Sequence, residues 1–332
     1  MSRWIYSLSV TATLLVSVTP ALASASVTYN TKYWFAVGAM NQTSVFDYQK
    51  DAQTGDPRAE LVGNSTNPGF YFAYDSNTNG GLNQGRLLFR VRVAAFDTNL
   101  SDQTIPTNAP GEYGSALFIG IDANLDSKID LFVMADDRGS SSSKGVKIYF
   151  PDCGNSATNC FTGPSTTNLG AQHPGVAPFV TTGTNANFNW AQVSSTTDPR
   201  ANLDTDVATL DEQEGKNSNY HNPDGFFSFA VDVQTIGNAL ATLSTPIAFS
   251  PTTEMRFITI TGQQDNTFNQ DTGGCDDGGR GKGGGYATWE CAFSNIIKPA
   301  SYVPSPEPGT YATMGGALVL LGYYRRRRHR KL

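Results

Sequence analysis

Oxygen-bearing side chains recur at short, regular spacing in one segment that lies between two apolar runs. Asp122, Asn124, Asp126 and Asp130 occupy positions 1, 3, 5 and 9 of this segment, and Lys128 adds a backbone carbonyl. Such spacing can direct hard oxygen ligands at one Ca²⁺ ion. The sequence therefore predicts a structural calcium site. The alternative is a plain polar turn, because Asp and Asn side chains also bond to nearby backbone groups.

The segment is similar to D-x-[DN]-x-D calcium loops, but it departs from the EF-hand. Position 6 is Ser127 where an EF-hand has glycine, and position 12 is Val133 where it has a bidentate glutamate. No helix is predicted on either side of the segment. The predicted calcium site is therefore one carried on a β-hairpin.

A second polar cluster precedes Cys275, and a tryptophan precedes Cys291. Amides, carboxylates and aromatic rings are the groups that sugar-binding sites use, because a sugar presents both hydroxyls and an apolar face. We predict possible glycan contacts at Gln264, Asp265, Asn266 and Trp289. The alternative is a disulfide-closed surface loop with Trp289 in the core.

Catalytic motifs are missing from the sequence. The chain has three histidines and contains no H-E-x-x-H, G-x-S-x-G or Walker motif. Glu112, Glu254 and Glu290 could form the two-carboxylate site of a glycosidase only if folding brought them together. We expect a protein without enzymatic activity, and a glycosidase is the less favoured alternative.

Four cysteines form two local pairs in the sequence. Cys153 and Cys160 flank a short polar loop, whereas Cys275 and Cys291 flank a glycine-rich one. Two local disulfides are the simplest arrangement in an oxidising compartment, although four cysteines allow three connectivities. A zinc site is less favoured because there is no C-x-x-C spacing or histidine partner.

Alternating apolar and polar residues predict an all-β body. In the run 85–94, Leu87, Phe89, Val91 and Val93 form one face and the arginines the other, as in a half-buried antiparallel strand. Strands are also predicted at 27–40, 69–74, 113–121, 129–134, 145–150, 226–233 and 255–261.

These strands, joined by polar turns, predict a β-sandwich or jelly-roll-like fold, with a barrel as the alternative. The stretches 151–189 and 263–286 are predicted to be long loops, 198–219 is predicted to be a surface insertion, and 234–243 a short helix. We expect one secreted domain over residues 26–302.

Both ends of the chain have the composition of export signals. Residues 1–25 combine Arg3, an apolar stretch and small residues near a cleavage site, as in a secretory signal peptide. Residues 303–332 combine a proline-rich stretch containing Pro306, Glu307 and Pro308, an apolar run at 311–324 and a basic end. If helical, that run is about 21 Å long, against a hydrocarbon core of roughly 30 Å.

The C-terminal segment resembles the PEP-CTERM sorting signal of bacterial exported proteins, with Pro306-Glu307-Pro308 as its signature. The resemblance implies recognition by an exosortase, transient insertion of the apolar helix in the inner membrane, and removal of the tail near the motif. It further implies delivery to the cell surface or extracellular matrix of a Gram-negative bacterium that makes exopolysaccharide. An ordinary C-terminal membrane anchor is the alternative.

Charge is consistent with an exported protein. Removing both signals takes away seven of the 23 basic residues and one of the 29 acidic residues, which leaves a net charge of about −12. An acidic surface argues against nucleic acid as a partner and favours divalent cations and neutral glycans. We therefore expect a structural or adhesive protein of a biofilm or exopolysaccharide coat, with a carbohydrate-binding module as the alternative.

Overall fold

The structure is a computed structural model of the 332-residue chain. It describes residues 34–37, 59–63, 68–76, 84–94, 115–136, 138, 144–152, 168–180, 186–192, 224–262, 268, 270–275 and 289–302. The predicted signal peptide, surface insertion 198–219 and sorting tail lie outside these ranges.

Eleven strands and one α-helix make up the regular structure of this part of the chain. The strands are β1 (Phe35–Ala36), β2 (Phe70–Asp75), β3 (Arg86–Val93), β4 (Ala116–Asp122), β5 (Leu131–Asp136), β6 (Gly145–Asp152), β7 (Asn168–Gln172), β8 (Phe188–Gln192), β9 (Gly225–Asp232), β10 (Arg256–Gly262) and β11 (Asp271–Thr272). Helix α1 spans Val233–Leu240, and a 3₁₀ helix spans Pro299–Ser301.

The strands form two antiparallel sheets. Sheet 1 has the order β1-β2-β3-β9-β8, and sheet 2 has the order β11-β10-β4-β5-β6-β7. The chain completes three strands of sheet 1, builds four strands of sheet 2 and returns for β8 and β9. It then crosses through α1 to β10, which pairs with β4. The central pairs β3–β9 and β4–β10 therefore join residues far apart in sequence.

One hydrophobic core joins the facing sides of the two sheets. Phe70, Phe72 and Phe89 of sheet 1 contact Phe257 of sheet 2, with ring centroids 6.2, 5.3 and 5.1 Å apart. Leu87, Phe89, Val91 and Val93 all belong to this core, which confirms the predicted apolar face of β3. The period of two in the sequence therefore identifies the inward side of the strand.

The opposite face of β3 differs from the prediction of a half-buried strand. Arg90 and Arg92 are 1% and 0% exposed. The Arg90 guanidinium lies 4.4 Å from the Trp34 ring and 5.0 Å from the Phe226 ring, and Arg92 Nε lies 2.6 Å from Asp224 Oδ2. Aromatic faces and a buried carboxylate compensate these charges, so the strand is buried on both sides.

Strands also occur where the sequence predicted long loops. β7 lies within 151–189, β8 begins at the end of that stretch, and β11 lies within 263–286. β7 and β11 are short and hold few apolar residues, so they are defined by pairing with β6 and β10, whereas β8, which contains Phe188 and Trp190, pairs with β9. Both loop predictions were therefore wrong in part.

Helix α1 confirms the predicted short helix, with its start one residue earlier and its end three residues earlier. It buries Val233, Ile236, Ala239 and Leu240 against the core. In the ranges that the structure covers, no helix is both long enough and apolar enough to cross a membrane.

Candidate functional sites

The predicted calcium segment lies on a β-hairpin. β4 ends at Asp122, β5 begins at Leu131, and the Asp130 amide donates a hydrogen bond to the Ile121 carbonyl across 2.8 Å. Leu125 and Ser127 have φ values of 61° and 67°, in the left-handed region. These two positions turn the chain back on itself, so the polar side chains before and after them come close together.

The side chains of the loop accept hydrogen bonds from the loop's own backbone. The Asp126 amide donates to Asp122 Oδ1 (3.2 Å) and Asn124 Oδ1 (3.0 Å), and the Lys128 amide donates to Asp126 Oδ1 (3.0 Å). Asp130 Oδ2 accepts from the Ala123 amide at 2.8 Å. This pattern is the polar turn that the sequence offered as the alternative to a metal site.

Arg256 adds a positive charge at the base of the loop. Its Nη2 lies 2.5 Å from Asp122 Oδ2 and 3.1 Å from Ser127 Oγ. The guanidinium also lies 4.3 Å from the centroid of the Phe293 ring. Asp122 is fully buried, so this ion pair supplies the compensation that a buried carboxylate requires.

Asp130 has the strongest electrostatic perturbation of the loop. Burial raises the pKa of its carboxyl to about 7, and the neighbouring carboxylates Asp122 and Asp126 also raise it, against the lowering effect of the Ala123 amide. The cause is the cost of a third negative charge in a partly dehydrated loop. A bound cation would offset that cost.

The geometry of the loop supports the calcium prediction in one respect and opposes it in another. Carboxylate oxygens keep further lone pairs after accepting one amide hydrogen, so the loop hydrogen bonds are compatible with a cation. However, Arg256 already neutralises Asp122, and no three His, Cys, Asp or Glu side chains within the described part of the chain are grouped so as to hold a metal ion. Any calcium would therefore depend on Asn124 and the Lys128 carbonyl as well as on the carboxylates.

Of the predicted glycan contacts, Trp289 alone lies among the described residues. Gln264, Asp265 and Asn266 lie outside the described residues. Trp289 is fully buried, and its ring lies 6.5 Å from Phe132 and 6.2 Å from Phe268, centroid to centroid. This burial agrees with the alternative that places Trp289 in the core, because packing against sheet 2 covers the ring that would have contacted a sugar.

The disulfide between Cys275 and Cys291 is formed, with sulfur atoms 2.05 Å apart. It joins residues 16 positions apart and packs against the same cluster as Trp289. This bond confirms one of the two predicted pairs. Cys153 and Cys160 lie outside the described residues, and their pairing stays a prediction.

Two of the three glutamates of the glycosidase alternative lie among the described residues. Glu254 lies on an exposed turn before β10, and Glu290 is exposed beside the disulfide. Glu112 lies outside the described ranges.

A cleft that sequence analysis missed opens between β6 and β9, and we call it the β6/β9 cleft. β9 continues to Asp232, whereas the first residue of β8 lies opposite Phe229, so the end of β9 extends beyond its neighbour. The segment 173–177 pairs with β6 through Val146 and Ala177 and forms the other wall. The cavity measures about 450 Å³.

Five polar residues line this cleft: Arg86, His173, Asn187, Asp232 and Thr235. Asp232 lies opposite Arg86 in the β3–β9 register and precedes α1, but its side chain does not cap the helix. Burial raises the pKa of the Asp232 carboxyl, although the Arg86 charge acts to lower it. No local motif marks the site, because its residues come from five separate parts of the chain.

Comparison of the chain with protein-family models, curated proteins and solved structures finds no match.

Proposed function

We propose that this chain is an exported structural or adhesive protein, sorted by an exosortase to the surface or extracellular matrix of a Gram-negative bacterium. In this proposal the two sheets form a β-sandwich of jelly-roll type that works within a biofilm or exopolysaccharide coat. The observation that carries the proposal is the order of Pro306-Glu307-Pro308, the apolar run 311–324 and the basic end.

The physical properties of the tail support removal rather than permanent anchoring. Prolines 304, 306 and 308 fix φ and remove amide donors, so the segment is suited to the extended form that a protease binds. The apolar run is shorter than the hydrocarbon core, and Arg325–Arg328 would hold it at the cytoplasmic side.

The disulfide supports the exported location. Structural disulfides persist in oxidising compartments and are rare where thiols are kept reduced. The Cys275–Cys291 bond closes a glycine-rich segment that offers few apolar side chains for burial. A covalent link suits such a segment in a protein that works outside the cell.

Intact-mass measurement of the protein from its native host, combined with cell fractionation, tests the proposal. We expect a mature form that ends near Pro308 and lies at the surface or in the matrix. Glu307→Gln should retain the tail in the inner membrane, whereas Ser305→Ala, a change in the same stretch outside the signature, should be processed normally. A wild-type protein that keeps Arg325–Lys331 would contradict the proposal and make the tail an ordinary anchor.

Carbohydrate binding is the second candidate function, and the β6/β9 cleft is the observation that favours it. Its volume falls within the range of roughly 300–1,000 Å³ that is usual for small-molecule sites. Its lining combines apolar residues with a few polar groups, as such sites do.

A further inference from the structure

We propose that the β6/β9 cleft binds a neutral sugar unit and that the Asp232 carboxylate is its principal hydrogen-bond acceptor. The inference deepens the carbohydrate-binding candidate function and does not depend on the sorting proposal. The lining of the cleft does not include Trp289, one of the residues where the sequence predicted glycan contacts.

The apolar wall of the cleft fits the C–H face of a sugar ring. Val146 and Ile148 of β6 line one side, Val176 lines the adjoining segment, and Val231 lines the end of β9. A sugar that lies against these side chains buries apolar surface without leaving polar groups unsatisfied. The cavity of about 450 Å³ is suited to a mono- or disaccharide.

Two of the polar groups in the cleft are already committed to the protein. Arg86 donates from Nη1 to the Ala186 carbonyl at 3.0 Å and from Nη2 to Asp75 Oδ2 at 2.9 Å. Asn187 accepts from the Val180 amide at 2.7 Å and donates to the Pro178 carbonyl at 3.0 Å. These contacts fix the wall and give the two side chains a structural role.

Asp232 is the polar group that this arrangement leaves for a ligand. It is half-buried and does not cap α1. An ionised carboxylate accepts hydrogen bonds through two oxygens, which matches two adjacent sugar hydroxyls. Thr235, half-buried in the first turn of α1, adds a hydroxyl that can donate or accept, and the half-buried His173 lies on the opposite wall.

The charge balance favours a neutral sugar over an acidic one. Asp75 already forms an ion pair with Arg86, so Asp232 leaves the cleft with one negative charge in excess when it is ionised. A uronic acid would place a second carboxylate near Asp232 in a partly dehydrated site, and like charges repel strongly there. Sugar hydroxyls carry no such cost.

Titration calorimetry on the mature protein tests the inference. The probes are neutral tetrasaccharides of glucose, mannose, galactose and N-acetylglucosamine, with tetragalacturonate as the acidic comparison. We expect saturable binding of at least one neutral probe and weaker binding of tetragalacturonate. Asp232→Asn should weaken the binding of that neutral probe about tenfold or more, because it removes a charged acceptor.

Two further variants separate a binding defect from a folding defect. Thr235→Trp places a bulky ring at a half-buried position that lines the cleft and should abolish binding, while a cooperative thermal transition shows that the variant folds. Glu254→Gln removes a charge from an exposed turn outside the cleft lining and should leave binding unchanged. No saturable binding of any neutral probe, unchanged affinity in both cleft variants, or a preference for tetragalacturonate would overturn the inference. None of these results bears on processing of the tail.

Discussion

At the scale of single residues, the raised pKa of Asp130 reports unfavourable electrostatics in the hairpin loop 122–130. The loop brings three carboxylates together, and Arg256 compensates Asp122 directly. Among the groups that shift the pKa of Asp130, only the backbone amides of Ala123 and Asn124 lower it. Its proton therefore leaves only near neutral pH.

Asp130 predicts a pH dependence of stability in chelator-containing buffer. Its pKa is about 7 in the folded protein and 3.8 as the reference for an exposed aspartate. Between these values the folded state binds more protons than the unfolded state, so this group's contribution to stability is lost as pH rises from about 4 to about 7. Asp130→Asn should remove that contribution.

Urea unfolding at about pH 4.5 and about pH 8 measures the effect. The difference in stability between wild type and Asp130→Asn should change between the two conditions, with the variant gaining relative stability at the higher pH. Glu254→Gln, at an exposed site, should not show this change. Parallel pH profiles for wild type and Asp130→Asn would contradict the assignment.

Calcium provides a second test at the residue scale. If the loop binds Ca²⁺, the cation offsets the repulsion among its carboxylates, and the thermal midpoint should rise with calcium. At a concentration about 100 times Kd, the stabilisation is about 2.7 kcal/mol. Asp126→Ala should remove the rise, while Glu254→Ala should preserve it. Equal wild-type midpoints with calcium and with chelator would leave the hydrogen-bonded turn as the whole function of the loop.

At the scale of elements, strand β3 is packed and buried on both of its faces. Its inward face supplies Leu87, Phe89, Val91 and Val93 to the core between the sheets. Its outer face places guanidinium groups against aromatic rings and carboxylates. Arg92 and Asp224, both with fully buried side chains, depend on each other for charge compensation.

Breaking this pair should destabilise the protein strongly. Arg92→Met leaves the Asp224 carboxylate buried with its ionic partner removed, and we expect a loss of about 3–5 kcal/mol in the free energy of unfolding. Chemical denaturation measures the loss. The double variant Arg92→Met/Asp224→Leu should recover a large part of it, because no buried charge remains uncompensated.

Arg138→Met is the matched control for this prediction. Arg138 also pairs with an aspartate, but its side chain is partly exposed, and Asp136 keeps Lys147 at 2.8 Å. The expected loss is below about 1 kcal/mol. Equal losses for Arg92→Met and Arg138→Met would show that burial does not set the strength of the Arg92–Asp224 pair.

At the scale of the whole molecule, aromatic packing at Phe257 joins the two sheets. Its ring contacts Phe70, Phe72 and Phe89, all on the other sheet. Cross-strand hydrogen bonds hold each sheet together separately, so the alignment of the two sheets depends on this shared core.

Phe257→Ala should therefore lower the free energy of unfolding by about 3–5 kcal/mol, because it removes apolar contacts and leaves a cavity between the sheets. Guanidinium denaturation measures the change. Ile296→Ala, an apolar truncation at a residue that is 53% exposed, should cost less than about 1 kcal/mol. Similar losses for the two variants would contradict a core centred on Phe257.

Local patterns predicted much of the fold. The alternation in β3 identified that strand and its inward face, a strand was predicted at 226–233 where β9 lies, and the polar segment between β4 and β5 was correctly expected on a hairpin. The Cys275–Cys291 pair followed from proximity in sequence. Each of these features depends on residues within a short stretch of chain, which is why sequence alone carries the signal.

The remaining features depend on partners that are distant in sequence. β7 and β11 hold few apolar residues and are defined by pairing with β6 and β10, while Trp289 is buried by Phe132 and Phe268. The β6/β9 cleft likewise exists only because Asp232 and His173 are brought to opposite walls.

By itself, the sequence determined the alternation of the central strands, the position of the polar hairpin and the linear composition of both ends, from which export and sorting are predicted. The tertiary structure alone decided which second faces are buried, which charges pair and where a cleft opens. The physical reason is the distance along the chain over which each kind of interaction acts. Strand periodicity and turn chemistry act between near neighbours, whereas burial and charge compensation depend on residues that only folding brings together.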